Sequence, residues 1–371
     1  MAWLPDELPA KAVPVWSIDV TARGLGGVAA TADAVVFSDR GLNDTIDEWK
    51  CAAAATGKEA WAYRYPCRGN LDYGNSPRAT PLIDGDRVYT FGAFGHLACL
   101  KLDSGEVVWE VDTRAEFGAT DEPKWGACSS PLLAAGKLIV NPGAKGAGLV
   151  ALDPKTGKVL WKAPGKPAGY GSLVAGTFGG VAQVVGHDTD TLGGWDAATG
   201  RRLWTVKPAA PDDFNVPTPL DLGGRLLVTT ENNGTRLYRF GGGGVLDPKP
   251  LAANKQLAPD AHTPVAIGDR VFGVGRRLYC LSVADGLRPV WDAADPAFSR
   301  YAALVATDAR VLAVTLEADL VLFDAAGGEY RERGRLKLWP GEKGLFSHPA
   351  FVGTRAYVRG SAALACFDLG R

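Results

Sequence analysis

One alternating segment, residues 148–161, predicts the type of element from which the chain is built. Its side chains alternate from Leu149 with the period of two that is typical of a strand. The sequence Asp-Pro-Lys-Thr-Gly at 153–157 then favours a turn, because proline fixes φ, aspartate can bond to its own backbone and glycine permits a positive φ. A second short strand, 158–161, ends in Trp161. The pattern therefore predicts a β-hairpin with a large aromatic residue at its far end.

This hairpin recurs along the whole chain. Similar turns at 55–58, 103–106, 198–201 and 284–286 are each followed by a tryptophan, and a second marker, a tight turn before a Val-rich strand, occurs eight times at intervals of 40 to 53 residues. Four antiparallel strands in a unit of this length are typical of a β-propeller blade. The 47 glycines and 24 prolines suit many turns and few helices. We therefore predict an all-β, eight-bladed β-propeller of four-stranded antiparallel blades.

The two ends of the chain complement each other. Residues 13–20 look like a lone fourth strand with its tryptophan, whereas the last unit, 346–369, stops after three strands. Joining them would complete the last blade and remove two exposed sheet edges. We therefore expect 13–20 to close the last blade, 1–12 to form a surface arm, and the whole chain, 1–371, to be a single propeller domain.

The repeat also carries a family resemblance. Residues 151–153 (Ala-Leu-Asp), 156–158 (Thr-Gly-Lys) and Trp161 resemble the pyrroloquinoline-quinone (PQQ)-type repeat of the WD40/YVTN-like propeller superfamily. That family includes quinoprotein alcohol dehydrogenases and the outer-membrane assembly lipoprotein of the Bam complex, and the similarity covers 13–371. The resemblance implies that a tryptophan on the fourth strand docks between neighbouring blades, a role that would fall to Trp16, Trp61, Trp109, Trp161, Trp204, Trp291 and Trp339.

Bulk composition narrows the possible partners. The net charge is −1 and no segment is a basic block, so we expect no nucleic-acid partner. No apolar run approaches the length of a membrane-spanning helix, and we expect no membrane span and a monomer. The first residues show no signal peptide. Since relatives with this repeat are commonly exported, the resemblance implies the periplasm or cell envelope, or the cytoplasm if the chain is native from Met1.

Cysteine is used as a small core residue. Four of the six cysteines occupy the same position on the third strand of their units, namely Cys51, Cys99, Cys280 and Cys366. In two other units this position holds Ala151 and Gly194. A position that accepts Ala, Gly or Cys is tightly packed, and cysteine there acts as a small apolar side chain. The sequence has no CxxC and no His–Cys cluster, so we expect six free thiols and no metal site.

Blade topology predicts which face carries function. The turns between the first two and the last two strands of each blade are short and share one face. The other connections are longer and individual in sequence, and we call their side the long-loop face, formed by 38–46, 71–76, 116–130, 141–148, 186–194, 208–217 and 231–235. Function on repeat scaffolds concentrates in such loops. The predicted binding residues at the channel mouth are Asn75, Ser76, Trp125, Tyr170, His187, Asn215, His262 and His348, with Tyr73, Phe214 and Phe346 as further aromatic anchors.

A structural interpretation of the same residues stays open. Polar groups around a wet channel can simply bond water and exposed backbone. On the opposite, short-turn face, a partial ring of arginines is expected to consist of solvated turn charges, namely Arg87, Arg225, Arg270, Arg310 and Arg355.

Three functional hypotheses follow. A non-catalytic scaffold that binds a protein, peptide or small ligand through the long-loop face agrees with all these features. The family resemblance also implies a PQQ-dependent dehydrogenase with bound calcium. However, the sequence lacks the adjacent Cys-Cys pair of those enzymes, and no Asp or Glu matches their base or calcium ligands. Other catalytic motifs are absent too, so we name no catalytic residue and expect no cofactor. Glycan binding by the same aromatic residues is the third possibility.

Overall fold

The computed structural model describes residues 3–21, 24–120 and 123–370, whose strands form eight four-stranded sheets. The predicted eight-bladed β-propeller is therefore confirmed. Residues 1–2 of the predicted arm and 121–122 of the long loop 116–130 lie outside the described residues.

The first half of the chain forms one N-terminal strand and four blades. The N-terminal strand is β1 (Pro14–Asp19). Blade 1 contains β2 (Ala29–Ala30), β3 (Ala34–Arg40), β4 (Ile46–Ala53) and β5 (Glu59–Pro66). Blade 2 contains β6 (Leu82–Asp84), β7 (Arg87–Phe91), β8 (His96–Lys101) and β9 (Val107–Asp112), followed by the short helix α1 (Thr113–Phe117). Blade 3 contains β10 (Leu132–Ala134), β11 (Lys137–Val140), β12 (Leu149–Leu152) and β13 (Val159–Ala163). Blade 4 contains β14 (Val174–Phe178), β15 (Val181–His187), β16 (Leu192–Asp196) and β17 (Arg202–Val206).

The second half forms the other four blades. Blade 5 contains β18 (Leu220–Asp221), β19 (Leu226–Thr230), β20 (Gly234–Tyr238) and β21 (Ala252–Asn254), with a 3₁₀ turn at Gly242–Gly244. Blade 6 contains β22 (Val265–Ile267), β23 (Arg270–Val274), β24 (Leu278–Ser282) and β25 (Arg288–Ala293), followed by a 3₁₀ turn at Pro296–Phe298. Blade 7 contains β26 (Ala302–Ala306), β27 (Arg310–Thr315), β28 (Asp319–Asp324) and β29 (Glu332–Lys337). Blade 8 contains β30 (Ala350–Val352), β31 (Arg355–Arg359) and β32 (Ala363–Asp368).

The ring closes as the chain ends predict. β1 pairs antiparallel with β32, with Trp16 opposite Cys366 and Asp19 opposite Ala363. The last blade therefore has the strand order β1-β32-β31-β30. This pairing confirms that 13–20 supplies the missing fourth strand.

Tryptophan and a small residue form a repeated pair on the two outer strands. In six blades the fourth-strand tryptophan lies opposite the tight position of the third strand, in the pairs Trp16–Cys366, Trp61–Cys51, Trp109–Cys99, Trp161–Ala151, Trp204–Gly194 and Trp291–Cys280. A bulky indole needs a small neighbour across the strand pair, which explains why cysteine recurs at this position. All six cysteine sulfurs are unpaired, and every cysteine except the half-buried Cys128 is buried.

The tryptophan of blade 2 belongs to a clamp that holds this blade to the next one. Trp109 Nε1 and the Tyr89 hydroxyl donate to the carbonyl oxygen of Pro154, in the turn of blade 3, at 3.0 and 3.1 Å. Arg87 donates to the carbonyl of Lys155 in the same turn at 3.3 Å. Three side chains of blade 2 thus bind one turn of blade 3.

Blades 8 and 1 repeat this clamp. Trp16, Arg355 and Tyr357 all donate to the carbonyl oxygen of Ala54, at 2.9, 3.2 and 3.4 Å. A Cβ on Gly57 would lie 2.7 Å from the Trp16 ring, so the turn needs glycine for close approach as well as for its φ of 72°. Arg87 and Arg355 of the short-turn face therefore bond the next blade, and for these two the interpretation as solvated turn charges is wrong.

Blade 7 departs from the repeat. Gly334 occupies the tryptophan position of its fourth strand, opposite Leu322. Trp339, which the resemblance had assigned to this role, lies beyond the end of β29 and packs against Phe367 of blade 8, with ring centroids 5.6 Å apart. The large Leu322 side chain takes the place of the usual small residue. In this blade the large residue is therefore on the third strand and the small residue, Gly334, is on the fourth.

Blade 5 has no tryptophan, as its sequence indicates, and its glycine-rich turn is bonded to blade 4. The Gly244 carbonyl accepts from Gln183 Nε2 at 2.8 Å. Gln183 Oε1 in turn accepts from Trp204 Nε1 at 2.8 Å. The glutamine therefore links the indole of blade 4 to blade 5, whereas the indoles of blades 1, 2 and 8 bond the next blade directly.

Candidate functional site

Six aromatic residues lie in the connections that lead into the innermost strands on the long-loop face. Trp125 packs against Tyr170 and Phe214, with ring centroids 4.6 Å apart in both pairs. On the other side, Phe346 packs against Tyr301 at 5.4 Å and Tyr73 at 6.3 Å. We call these residues the aromatic mouth, which comprises Tyr73, Trp125, Tyr170, Phe214, Tyr301 and Phe346.

Phe214 is exposed on a loop that is held firmly. Its side chain is 46% exposed, and its amide donates to the carboxylate of Glu231. The same loop is bonded twice more to the turn of blade 5, because Ala210 N donates to Asn233 Oδ1 and Asn232 N donates to Asp213 Oδ1, both at 2.8 Å. The ring is therefore presented to solvent by a pre-ordered backbone.

Tyr73 is exposed in the same way and carries backbone strain. Its side chain is 61% exposed and its φ is +66°, a left-handed conformation that is rare for a bulky residue. Asn75 fixes the loop, because its Oδ1 accepts from Leu71 N at 2.9 Å and its Nδ2 donates to Asp44 at 2.6 Å. Such strain persists where the surroundings over-determine it, and it concentrates at functional sites.

Lys124, next to Trp125, connects the two sides of the mouth. This lysine pairs with the Asp72 carboxylate at 3.2 Å, and its ammonium lies 5.7 Å from the centre of the Trp125 ring. Burial raises the pKa of the neighbouring Tyr170 hydroxyl. The site at neutral pH is thus a set of neutral rings with a lysine at its edge.

A belt of hydroxyl groups joins the beginnings of the innermost strands. The amides of Thr80, Ser130, Ser172 and Thr218 donate to hydroxyls of the following blade, Ser130, Ser172, Thr218 and Thr263, at 3.0 to 3.1 Å. The Ser347 hydroxyl donates to Gly26 O at 2.7 Å. These bonds favour the structural interpretation for the hydroxyl groups. The partner of each hydroxyl is more than 40 residues away in the sequence. The recurrence of Ser or Thr before most of the innermost strands was therefore the one sequence signal for this belt.

The predicted amide and serine residues make bonds within the loops of the long-loop face. Asn75 and Ser76 are buried, and the Ser76 carbonyl accepts from Arg78. Asn215 is buried with a φ of +56°, and its Nδ2 donates to the carbonyls of Asp188 and Thr189, both at 3.2 Å. These side chains shape the loops that present the aromatic rings.

The predicted histidines have different surroundings, and only His262 and His348 are near enough for the charge of one to affect the other. Burial, assisted by the charge of Arg236, lowers the pKa of His187 to about 3. Burial also lowers the pKa of His262 to about 4, and its Nδ1–H donates to Ala302 O at 2.5 Å. His348 keeps exposed surface, yet desolvation by the surrounding channel wall lowers its pKa. All three are therefore neutral at pH 7, and the predicted set does not converge into one catalytic centre.

Within the part of the chain that the structure describes, no three His, Cys, Asp or Glu side chains come together to hold an ion, so the calcium and quinone that the family resemblance implies stay an expectation. Two small cavities lie between blades: one of about 110 Å³ between blades 8 and 1, beside Lys50 and Phe37, and one of about 10 Å³ between blades 3 and 4, beside His187 and Trp195. A drug-sized ligand needs roughly 300 Å³ or more, so neither cavity would hold one. Among the described residues, no helix has the length and hydrophobicity needed to cross a membrane.

Comparison with known proteins identifies the same two groups as the repeat, assembly factors and quinone-dependent dehydrogenases. A family model described as outer membrane protein assembly factor BamB matches residues 50–293, about two thirds of the chain. The quinone-dependent alcohol dehydrogenase subunit of Komagataeibacter europaeus is 32% identical over 160 residues, which are 40% of this chain and 21% of that protein. BamB of Shewanella oneidensis is 24% identical over 213 residues, which are 53% of this chain and 51% of that protein.

A solved structure shows the same fold over nearly the whole chain. The crystal structure of BamB from Moraxella catarrhalis matches with a TM-score of 0.66 and 15% identity, covering 96% of this chain and 99% of that one. At this identity the likeness shows the fold alone. By sequence, the matches span about a fifth of the dehydrogenase and about half of the Shewanella protein.

Proposed function

This chain belongs to the family of outer membrane protein assembly factor BamB, and from that membership we propose that it is a non-catalytic scaffold that binds a protein or peptide partner. The contact surface is the aromatic mouth on the long-loop face. By its printed name, the Shewanella relative is an assembly factor for outer membrane proteins. We accordingly propose a cell-envelope location for this chain.

One observation carries the proposal: exposed aromatic rings on a pre-ordered backbone. Phe214 and Tyr73 are 46% and 61% exposed, although their loops are tied down by side-chain bonds from Glu231 and Asn75. Tyrosine, tryptophan and phenylalanine are favoured contact residues at protein interfaces. A loop that is already ordered loses little entropy when it binds, so this arrangement favours association.

Site-specific photo-crosslinking tests the proposed surface. A benzophenone amino acid is placed at Phe214 or Tyr73, and for comparison at Val245 or Leu251, which are 48% and 47% exposed but lie in the outer part of blade 5. Irradiation in an envelope extract is expected to give one discrete adduct from the two mouth positions and none from the blade 5 positions. Adducts from all four positions, or from blade 5 alone, would contradict the proposal.

The dehydrogenase hypothesis is supported by the 32% identity to the Komagataeibacter subunit and has its own test. The purified chain is incubated with PQQ and calcium, and reduction of an electron-accepting dye by primary alcohols is recorded. Because no three His, Cys, Asp or Glu side chains come together among the described residues, we expect no dye reduction above a protein-free control. Turnover that depends on both PQQ and the chain would replace the scaffold proposal with an enzymatic one.

A further inference from the structure

The tryptophan position of blade 7 holds a glycine, although the strand geometry there is unchanged. Gly334 lies opposite Leu322, and the strand register shifts immediately after this pair. The same shift follows Cys51–Trp61 in blade 1 and Ala151–Trp161 in blade 3. Blade 7 therefore has the local backbone of a tryptophan blade without the indole that covers it.

The N-terminal arm covers this position. Leu8 lies over Gly334, and a Cβ placed on that glycine would be 3.5 Å from both Cβ and N of Leu8. Leu4 and Leu8, together with Ala12, pack against the buried cluster of blades 7 and 8 that contains Leu336, Leu338 and Phe367. The leucine side chain thus occupies the space that an indole fills in other blades.

A charge pair links the centre of the arm to blade 7. The Asp6 carboxylate accepts from Arg310 at 2.9 Å, and Arg310 also contacts Asp324 at 3.1 Å. The arm bends at residues 6–7, so that Pro5 is buried, Leu4 and Leu8 are half-buried, and the Asp6 side chain stays 93% exposed. The two leucines and Pro5 therefore form the apolar contact, and Asp6 adds a charge pair at its edge.

Side chains hold the arm, because residues 3–12 contain no helix and no strand. A segment that joins no sheet can leave without breaking any strand pairing. Another segment with the same side-chain pattern could then take its place.

We propose that the groove formed by Gly334, Arg310, Leu336, Leu338 and Phe367, here called the arm groove, is a peptide-binding site. Its ligand is a partner segment with the pattern Leu-Pro-Asp-x-Leu of residues 4–8, and the chain's own arm occupies the groove in cis. This site lies beside the outer strand of blade 7 and is independent of the aromatic mouth. Binding of a partner segment displaces the arm.

The cis arrangement decides how the site must be tested. A tethered segment acts at an effective concentration in the millimolar range, so a free peptide competes poorly with the intact arm. We therefore use the full chain with Leu4→Ser and Leu8→Ser, which releases the arm but keeps β1. The probe is a fluorescein-labelled synthetic peptide with the sequence of residues 3–12.

Fluorescence anisotropy is expected to show saturable binding of this peptide to the released-arm variant, with an affinity at least about tenfold higher than for the wild-type chain. A peptide carrying both Leu→Ser changes should not bind. Adding Gly334→Trp to the released-arm variant should abolish binding, because the indole fills the groove. The matched control is Gly328→Trp in the same blade, where a Cβ meets open space, and it should leave binding intact. A folded released-arm variant that does not bind the peptide overturns the proposal.

A second measurement does not depend on the released-arm variant. In the otherwise unchanged chain, Gly334→Trp should expel the arm and accelerate tryptic cleavage after the exposed Lys11, whereas Gly328→Trp should not. An unchanged cleavage rate in Gly334→Trp argues against the arm groove. Sedimentation that shows arm exchange between two copies would overturn the cis assignment as well.

Discussion

At the scale of single residues, the tryptophan and its small partner are the features that the sequence predicts best. The indole of Trp61 is 7% exposed, its Nε1 donates to Leu102 O at 2.8 Å, and its ring covers Gly105 of the next blade. The tight position opposite was identified from the residues that occupy it, because small size is the main property that Cys, Ala and Gly share. The tyrosine and arginine of each clamp were missed, since their partners lie in another blade.

Removing one docking tryptophan should destabilise the ring strongly. We expect Trp61→Ala to lower the free energy of unfolding by about 3–5 kcal/mol, as for other buried large aromatic residues. Trp3→Ala, in the arm and 40% exposed, should change it by less than about 0.5 kcal/mol. Urea unfolding followed by circular dichroism measures both. Equal losses for the two variants would show that docking between blades does not explain why tryptophan recurs on the fourth strand along this chain.

Buried histidines should make the protein less stable at mildly acidic pH. Their pKa values in the folded chain are lowered to about 3 for His187 and about 4 for His262, against about 6.5 when unfolded. The unfolded state therefore binds more protons below pH 6.5, and the stability from each neutral ring is lost as pH falls towards the folded pKa. Between pH 7 and 5 this amounts to about 2 kcal/mol for each histidine. His262→Gln should reduce the pH-dependent loss by that amount in urea titrations at both pH values, and an unchanged loss would rule out a buried neutral ring.

At the scale of strands and blades, closure by β1 follows from a simple complementarity between the chain ends. Deleting residues 1–20 should leave β32 with an unpaired edge, and unpaired edges promote association between chains. Deleting 1–12 should keep β1 and a closed ring. Light scattering during size-exclusion chromatography is expected to show aggregates for the longer deletion and a soluble species for the shorter one. A soluble longer deletion with unchanged melting would contradict closure by β1.

The strand pattern was predictable because it depends on local periodicity and turn chemistry, whereas contacts between blades were not. The hydroxyl of Ser172 bonds the amide of Ser130 in the previous blade, and Leu8 covers a glycine more than 300 residues away. Neither contact leaves a periodic signal. The prediction for Trp339 was wrong for a related reason. The interval between tryptophans in the sequence cannot reveal that Gly334, and not Trp339, occupies the tryptophan position of the fourth strand. In the candidate site, five of the six aromatic residues were identified, whereas Tyr301 was missed because its packing against Phe346 depends on loop conformation.

At the scale of the whole molecule, stability and binding should be separable. Bonds between blades, such as Ser172 to Ser130, sit on the inside of the ring, whereas Tyr73 and Phe214 project from it. Ser172→Ala leaves a partly buried amide without its acceptor, and we expect it to lower the free energy of unfolding by about 0.5–1.5 kcal/mol. Retention of the photo-crosslinked partner by the immobilised variant should nevertheless stay at the wild-type level.

The aromatic mouth should show the opposite behaviour. Tyr73→Gly removes an exposed ring and also suits the left-handed φ of +66°, because glycine adopts that conformation without the side-chain clash. Together with Phe214→Ala, it should leave the free energy of unfolding within about 0.5 kcal/mol of wild type and reduce partner retention more than about tenfold. Urea unfolding and quantitative retention are measured on the same preparations. If the double variant loses stability but still retains the partner, the aromatic mouth supports the fold, and the proposed binding surface is wrong.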